Sequence, residues 1–451
     1  MIEKIFQAGV VGCGGAGFPT HKKLDGQFHW LIINGAECEP LLRTDRYLMI
    51  HMADALVCAI DAVADAAQAE HRVIGLKASY RREIAALEAA IEKAGSKIQL
   101  HRMESFYPAG DEQVLVYEVT GKVVPPAGIP LDVGAAVSNV ATMLAISDAM
   151  QGQPLCNKYI TVTGEVGTPC IVHAPIGTSI QACIEAAGGA KLAEYAVVVG
   201  GPMMGKYLPP QQVPDAVVTK TTSGLIVLAE DHPLALRRDP PMQAILNRAK
   251  SVCIQCRTCT DLCPRHLLGH PLEPHRIMRQ MAYAPDAGQL LAEVDIQRAM
   301  LCSECGVCEV VACPMGLHPR QVNVFLKRKL RASGFRYQRP AGPFAAKQAR
   351  PERLIPTARA ASRAGVGAYQ SLRIDSLQEL KPQRVEILLQ QHIGAPAKAV
   401  VKAGEQVQPN QLVAACPEGA LGANIHTGIG GTVISVGDRI VIEQRQAGDA
   451  V

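Results

Sequence analysis

Eight cysteines carry the strongest chemical signal in this 451-residue chain. Cys253, Cys256, Cys259 and Cys263 are spaced C-x2-C-x2-C-x3-C, and Cys302, Cys305, Cys308 and Cys313 are spaced C-x2-C-x2-C-x4-C. Each run ends in Cys-Pro, at Cys263-Pro264 and Cys313-Pro314. Three closely spaced thiolates on a tight loop wrap one face of an iron–sulfur cubane, and the cysteine before the proline opens a helix. Zinc sites ordinarily use two cysteine pairs rather than such triplets, so the spacing selects iron–sulfur chemistry. Iron–sulfur clusters carry single electrons and make no bonds, so another group must feed them. The second run holds one residue more than the first, a departure that still leaves four thiolates.

In two-cluster ferredoxins the fourth cysteine of each run ligates the other cluster. The same pattern here assigns one [4Fe–4S] cluster to Cys253, Cys256, Cys259 and Cys313, and another to Cys302, Cys305, Cys308 and Cys263. With eight of fifteen cysteines in metal-type runs, the chain reads as a protein of a reducing compartment, not a disulfide scaffold.

A second constellation lies near the N-terminus. Gly12-Cys13-Gly14-Gly15-Ala16-Gly17-Phe18-Pro19-Thr20 precedes Lys22-Lys23. Glycine lets a backbone approach phosphate and turn its N–H groups on an anion. The run is not the G-x-G-x-x-G dinucleotide motif, and it precedes the first clear strand. Asn34-Gly35-Ala36-Glu37-Cys38-Glu39-Pro40 follows the strand expected at 31–33, and polar groups at a strand's carboxyl end are well placed for a ligand. Tyr107-Pro108-Ala109-Gly110-Asp111-Glu112 and Ser138-Asn139-Val140 add polar loops before helices. Cys13 and Cys38 read as small loop fillers, the pair Met203-Met204 as packing, and His392 and His426 as surface or turn histidines.

The elements that must position these residues follow from periodicity. Strands are expected at 31–33, 72–76 and 97–102, and helices at 45–69, 79–94, 112–120 and 139–150, a βαβ rhythm that implies a parallel sheet under helices. Residues 158–166 alternate as a strand, 180–187 form a short helix, and 195–199 a strand ending in Gly200-Gly201-Pro202. Prolines 233, 240 and 241 bound a helix leading into the cysteines. Residues 336–375 read as a Pro/Ala/Arg-rich linker, and the rest as short strands and turns.

Composition excludes several classes. Hydrophobic residues at 48 % and charged residues at 19 % supply a sizeable core and rule out global disorder. Aromatics at 4 %, with Trp30 the single tryptophan, disfavour a stacking platform for single-stranded nucleic acid. Net charge is +4, too balanced to indicate nucleic-acid binding. Residues 327–373 nevertheless hold twelve Lys/Arg against Glu352 alone, a segment expected as a solvated linker or docking strip. No signal peptide is visible and no apolar run reaches the roughly 18 residues of a membrane span, so a soluble intracellular protein is expected.

Residues 9–150 resemble the flavin- and NADH-binding subunit of respiratory complex I and its relative, the C subunit of the Rnf electron-transport complex. The resemblance rests on GxGGAGFPT, the NxxExEP loop and the later Asn139-Val140. It implies that Gly12, Gly14, Lys23, Asn34, Glu37, Cys38, Gly110 and Asn139 hold FMN. It implies further that Phe18 stacks on NADH and that Glu39 and Glu112 bind its hydroxyls. The complex I pattern has Asp at Ala36 and Ser at Cys38. Residues 158–205 resemble the β-grasp SLBB module of the same family. His392–Pro396, Val401–Val407 and Ile425–Val433 resemble a barrel-sandwich hybrid, here without the hairpin lysine of a swinging arm. That module opens the Rnf protein but comes last here, an order resembling the cobalamin reductases of propanediol-utilising bacterial microcompartments. No D-x-H-x-x-G corrinoid signature is present.

The fold expected is thus multidomain α/β. A Rossmann-like FMN/NADH-binding domain spans 1–153, an SLBB β-grasp module 154–238, and a helical two-[4Fe–4S] ferredoxin-like domain 239–335. A basic linker at 336–375 leads to a C-terminal barrel-sandwich hybrid at 376–451. The resemblance implies NADH-dependent reduction of cobalamin within a microcompartment. A cobalamin adenosyltransferase and a shell protein would be partners, with no nucleic acid and no transmembrane segment. The alternatives are an electron-input subunit of an Rnf-type complex, or an electron-transfer scaffold tethered to the shell.

Overall fold

A computed structural model describes residues 1–236, 240–283 and 290–444. The N-terminal rhythm forms a parallel sheet. Its strands are β1 (Trp30–Asn34), β2 (His71–Lys77), β3 (Gln99–Met103) and, after the short β4 (Phe106–Tyr107), β5 (Ala135–Asn139), in the order β3-β2-β1-β5. β1 is central, with Trp30 opposite His71 on one side and Ala135 on the other. Leu31 and Ile33 pack with helices Ala53–Ala66, Arg81–Ala94 and Val140–Met150, while Ile32 packs with Glu112–Thr120 on the other face. A parallel strand covered on both faces reads as an unbroken apolar run, which is why β1 is legible from three residues.

The helix expected at 45–69 is two helices, Thr44–His51 and Ala53–Ala66, bent by 93° at Met52. The first is anchored by its N-terminus, where the Glu37 carboxylate accepts the Asp45 and Arg46 N–H groups. The second is aligned by its stripe of Leu56, Val57, Ile60 and Val63 on the sheet. The two demands point in different directions, so the chain breaks between them. Asn139, expected to open a helix, ends β5 instead and caps the helix that follows, accepting Ala141 N–H at 2.9 Å. No single helix among the described residues is long and apolar enough to cross a membrane.

The β-grasp module is a six-stranded sheet carrying helix Ile180–Ala186. One edge strand, Leu377–Glu379, arrives from beyond the basic segment and runs parallel to Cys170–Pro175. The last module packs a four-stranded and a three-stranded sheet around Val385, Ile387, Val413, Ile425, Val433 and Ile440. At the junction of these modules with the first, Lys220 is fully buried and its Nζ donates to Gly9 O at 2.6 Å and Asn424 O at 2.5 Å.

The basic segment is solvated over 338–343 but packs onto the protein from Arg350 to Val366. Ile355–Pro356 pairs antiparallel with β4, Ile355 opposite Tyr107. Helix Thr357–Arg363 buries Ala360 and Ala361 against Tyr107, Val307 and Val310. Arg350 is buried, bonds Glu118 at 2.5 Å and lies 4.8 Å over the Tyr117 ring. Its positive charge reads as a solvated face in sequence, but small alanines between the arginines let the backbone lie down as a strap.

Candidate functional site

A cleft of about 900 Å³ opens at the carboxyl ends of β1 and β5, facing the β-grasp loop 199–206. Small-molecule sites commonly run from about 300 to 1,000 Å³. Of the residues expected to bind FMN or NADH, Gly14, Asn34, Glu37, Cys38, Glu39, Gly110, Glu112 and Asn139 line it. Gly12, Phe18 and Lys23 lie outside its walls. Gly12 N–H donates to Phe18 O at 3.0 Å and closes the glycine loop, Phe18 is 39 % exposed, and Lys23 is paired with Glu112.

The walls are set by side chains that satisfy the backbone. Asn34 Oδ1 accepts Ala36 N–H at 3.1 Å and its Nδ2 donates to Gly110 O at 3.0 Å, tying the loop after β1 to that after β4. Asn139 Nδ2 donates to Asp45 at 2.7 Å. A Cβ on Gly14 would stand 2.9 Å from the Asn139 amide, and one on Gly110 would stand 3.0 Å from Asn34 Nδ2 and 3.2 Å from Cys38 Sγ. Gly15 has open space in the same position. The result is a cradle walled by the glycine loop, with space at Gly15 and room for a flat ligand, which fits an FMN.

Three of the carboxyls that line the cleft are shifted upward by burial. Burial raises Glu37, and Asp45 is pushed up to about 7, by burial first and then by Glu37. Burial also pushes Glu39 up to about 7. Glu39 accepts Met203 N–H at 2.9 Å, so the β-grasp loop closes over it. Two further wall residues fall outside the sequence expectations. Lys158, from the β-grasp module, is 4 % exposed and donates to Cys13 O at 3.3 Å, and Asp45 reads in sequence only as the first residue of the helix expected at 45–69. Nothing near Lys158 in sequence signals a site; only the tertiary fold brings it there.

The cysteine runs sit beside this cleft. Cys305 lines it, and Tyr107 OH donates to Cys305 O at 2.7 Å. One small cavity is lined by Cys263, Cys302, Cys305 and Cys308 together. Cys259 is pushed up to about 12 by burial, then by Cys313, Cys256 and Cys253. The fourth cysteine of each run thus lies with the triplet of the other. Burial first, and neighbouring thiols after it, push Cys259, Cys263 and Cys305 up, and bound iron would favour their thiolates, so the donor sets fit cubane clusters. Left-handed residues flank the middle cysteine at matching places, Gln255 and Arg257 in one loop, Glu304 and Gly306 in the other. The extra residue of the second run is absorbed in a π-helical turn, Val307–Ala312, which keeps Cys313 in place. Asn323 is 1 % exposed, lines the same cavity, bonds no nitrogen or oxygen, and faces the Cys302 sulfur.

Expected as surface or turn histidines, His392 and His426 are both buried, His392 in a bend and His426 in the short strand Ile425–His426. His392 Nε2 accepts Ala423 N–H at 3.0 Å and belongs to the barrel's packing against the glycine loop.

Comparison with known proteins matches four sequence families along the chain. They are the Nuo51 FMN-binding domain over residues 5–148, the SLBB domain over 159–207, a 4Fe-4S dicluster domain over 252–318 and the RnfC barrel sandwich hybrid domain over 370–451. The cobalamin reductase PduS of Salmonella typhimurium is 42 % identical over 97 % of this chain and 95 % of its own length. That of Citrobacter freundii is 41 % identical over the same shares. The C subunit of the proton-translocating ferredoxin:NAD(+) oxidoreductase complex of Clostridium ljungdahlii is 35 % identical over 59 % of this chain and 56 % of its own. The chain is a flavin and iron–sulfur oxidoreductase with the domain series expected from sequence. It belongs to the family of the cobalamin reductase PduS.

Proposed function

We propose that the chain is an NADH-dependent cobalamin reductase that passes electrons through FMN and two [4Fe–4S] clusters to cob(III)alamin and cob(II)alamin. One observation carries this reading: a single cleft has on its walls both the loops of the FMN-binding match and Cys305 of the dicluster match. A bound flavin accepts a hydride as an electron pair and yields electrons singly, as clusters require. Around it, Gly14, Gly110 and Asn139 shape the cradle, and Asn34, Glu37 and Cys38 line it. Glu39 and Glu112 are the residues assigned to nicotinamide-nucleotide hydroxyls, and both line the same cleft. With its carboxyl near neutrality, Glu39 changes charge in the working range. Lys23 holds Glu112 at the rim.

In this reading the reduced corrinoid goes to a cobalamin adenosyltransferase, regenerating adenosylcobalamin for 1,2-propanediol degradation in a bacterial microcompartment, with a shell protein as docking partner. The test is anaerobic. Protein reconstituted with FMN, iron and sulfide receives NADH, and hydroxocobalamin absorbance is followed with and without the adenosyltransferase. Reduction that requires all three additions supports the reading. Bleached flavin and clusters with unchanged cobalamin refute it. A second reading, an electron-input subunit of an Rnf-type complex, draws on the similarity to the clostridial oxidoreductase component. Ferredoxin reduced in place of cobalamin would favour it.

A further inference from the structure

The two cysteine sets lie at different depths. Cys263, Cys305 and Cys308 are buried, and the loop 302–308 is roofed on three sides. A Cβ on Gly306 would stand 2.9 Å from Met203 O of the β-grasp module. Val307 packs with Tyr107 and with Ala360, Ala361 and Ala364 of the strap. Cys305 reaches the cleft itself. The other set opens outward at its triplet: Cys256 is exposed, and beside it Ile254 is 63 % exposed. Cys253 and Cys259 are half-buried, as Cys302 is in the inner set, and only Cys313 lies buried beneath them. Between the sets, the helix Thr258–Asp261, which carries Cys259, packs on the turn Val307–Ala312, which carries Cys308. The spatial order is therefore cleft, inner set, outer set, solvent.

We propose that electrons run in that order. The cluster held by Cys263, Cys302, Cys305 and Cys308 takes electrons from the cleft, and the cluster held by Cys253, Cys256, Cys259 and Cys313 delivers them at the loop 254–257. This rests on the flavin and cluster reading above. The balance is one NADH and two oxidised acceptors giving NAD+, one proton and two acceptors each reduced by one electron. The hydride's electron pair leaves the cleft one electron at a time, each passing both clusters. The proton goes to solvent from the cleft side, because clusters carry only electrons. A buried inner cluster keeps short-circuit oxidants off the flavin side, while the outer loop offers the acceptor close approach.

The wild-type holoprotein tests this directly. An iron chelator is titrated in anaerobically, freed thiols are alkylated with iodoacetamide, and the peptides are mapped by mass spectrometry. Cys253, Cys256 and Cys259 are expected to be alkylated while Cys302, Cys305 and Cys308 remain protected. In that half-stripped protein, NADH still produces the reduced-cluster EPR signal, and hydroxocobalamin reduction is lost. Alkylation of the 302–308 loop first would overturn the order, as would a remaining cluster that NADH leaves oxidised. A soluble dysprosium chelate gives an independent check on intact protein. It should relax the EPR signal that disappears on half-stripping and spare the other; relaxation of the surviving signal instead would overturn the proposal. Intact protein that reduces no hydroxocobalamin would refute the corrinoid reading alone, since the depth and EPR measurements do not use cobalamin.

Discussion

Lys220 makes a quantitative prediction. It is fully buried where three modules meet, and burial pulls its ammonium down to about 7. Free in water, a lysine titrates near 10.4. The folded value lies below the unfolded one, so the penalty on the charged form is fully present below pH 7. It fades as the pH rises toward the unfolded value. Between pH 9 and pH 6 the free energy of opening this junction should fall by about 2–3 kcal/mol, roughly a hundredfold in the opening equilibrium. His426, held down to about 4, and Cys156, pushed up to about 11, keep their charge states in the closed junction. On opening each adds under about 1 kcal/mol, His426 at pH 6 and Cys156 at pH 9, and the two offset each other across the window. The assay is hydrogen exchange in peptides spanning 5–12, 218–224 and 422–428, corrected for intrinsic rates. Lys220→Met should abolish the pH step. It should also weaken the junction at pH 9 by about 1–3 kcal/mol, because Gly9 O and Asn424 O lose their donor. Equal protection of the wild type at both pH values, or a surviving pH step in the methionine variant, would refute the reasoning.

Other substitutions separate the roles of the cleft. Glu39→Gln should raise the KM for NADH by about tenfold or more, the worth of a hydrogen bond to a charged group, with FMN content unchanged. The wild-type pH dependence of that KM near 7 should vanish with it; ferricyanide reduction measures both. Gly14→Ala pushes a methyl to 2.9 Å from Asn139 and should lower FMN retention, seen as flavin lost on gel filtration, while cluster absorbance persists. Asn323→Leu removes an amide from the Cys302 sulfur and should lower the potential of one cluster by roughly 20–60 mV in a redox titration followed by EPR, the equivalent of one ordinary hydrogen bond.

The parts of this fold legible in sequence are those whose physics is local. Cysteine spacing, the apolar run of β1 and the loops after β1 and β5 each act within a few residues of chain. The break at Met52 is not legible because it arises from two distant partners, Glu37 at one end and the sheet at the other. The strap reads as a solvated linker because twelve cations outweigh its alanines in any composition window. Lys158, Lys220 and Asn323 escape for a shared reason. Each is a polar residue whose surroundings come from distant segments of the chain, from other modules for the two lysines and from both cysteine runs for Asn323, and nothing in its own neighbourhood distinguishes it from a surface residue. The histidines at 392 and 426 are hidden in the same way.

The strap also has a consequence for assembly. The segment that roofs the inner cysteine loop, Ile355 to Ala364, follows Cys313 in the chain by some forty residues and leaves the ribosome after every cysteine ligand. Until it is made, β4 lacks its partner strand and the loop 302–308 is open on one side. The β-grasp sheet likewise waits for Leu377–Glu379. Contacts of such long sequence separation form late. The connectivity therefore leaves an interval in which both thiol sets exist and the deeper one is still reachable by iron and sulfide. Closing the strap ends that interval, and it turns an accessible metal site into a sealed one without any further chemistry.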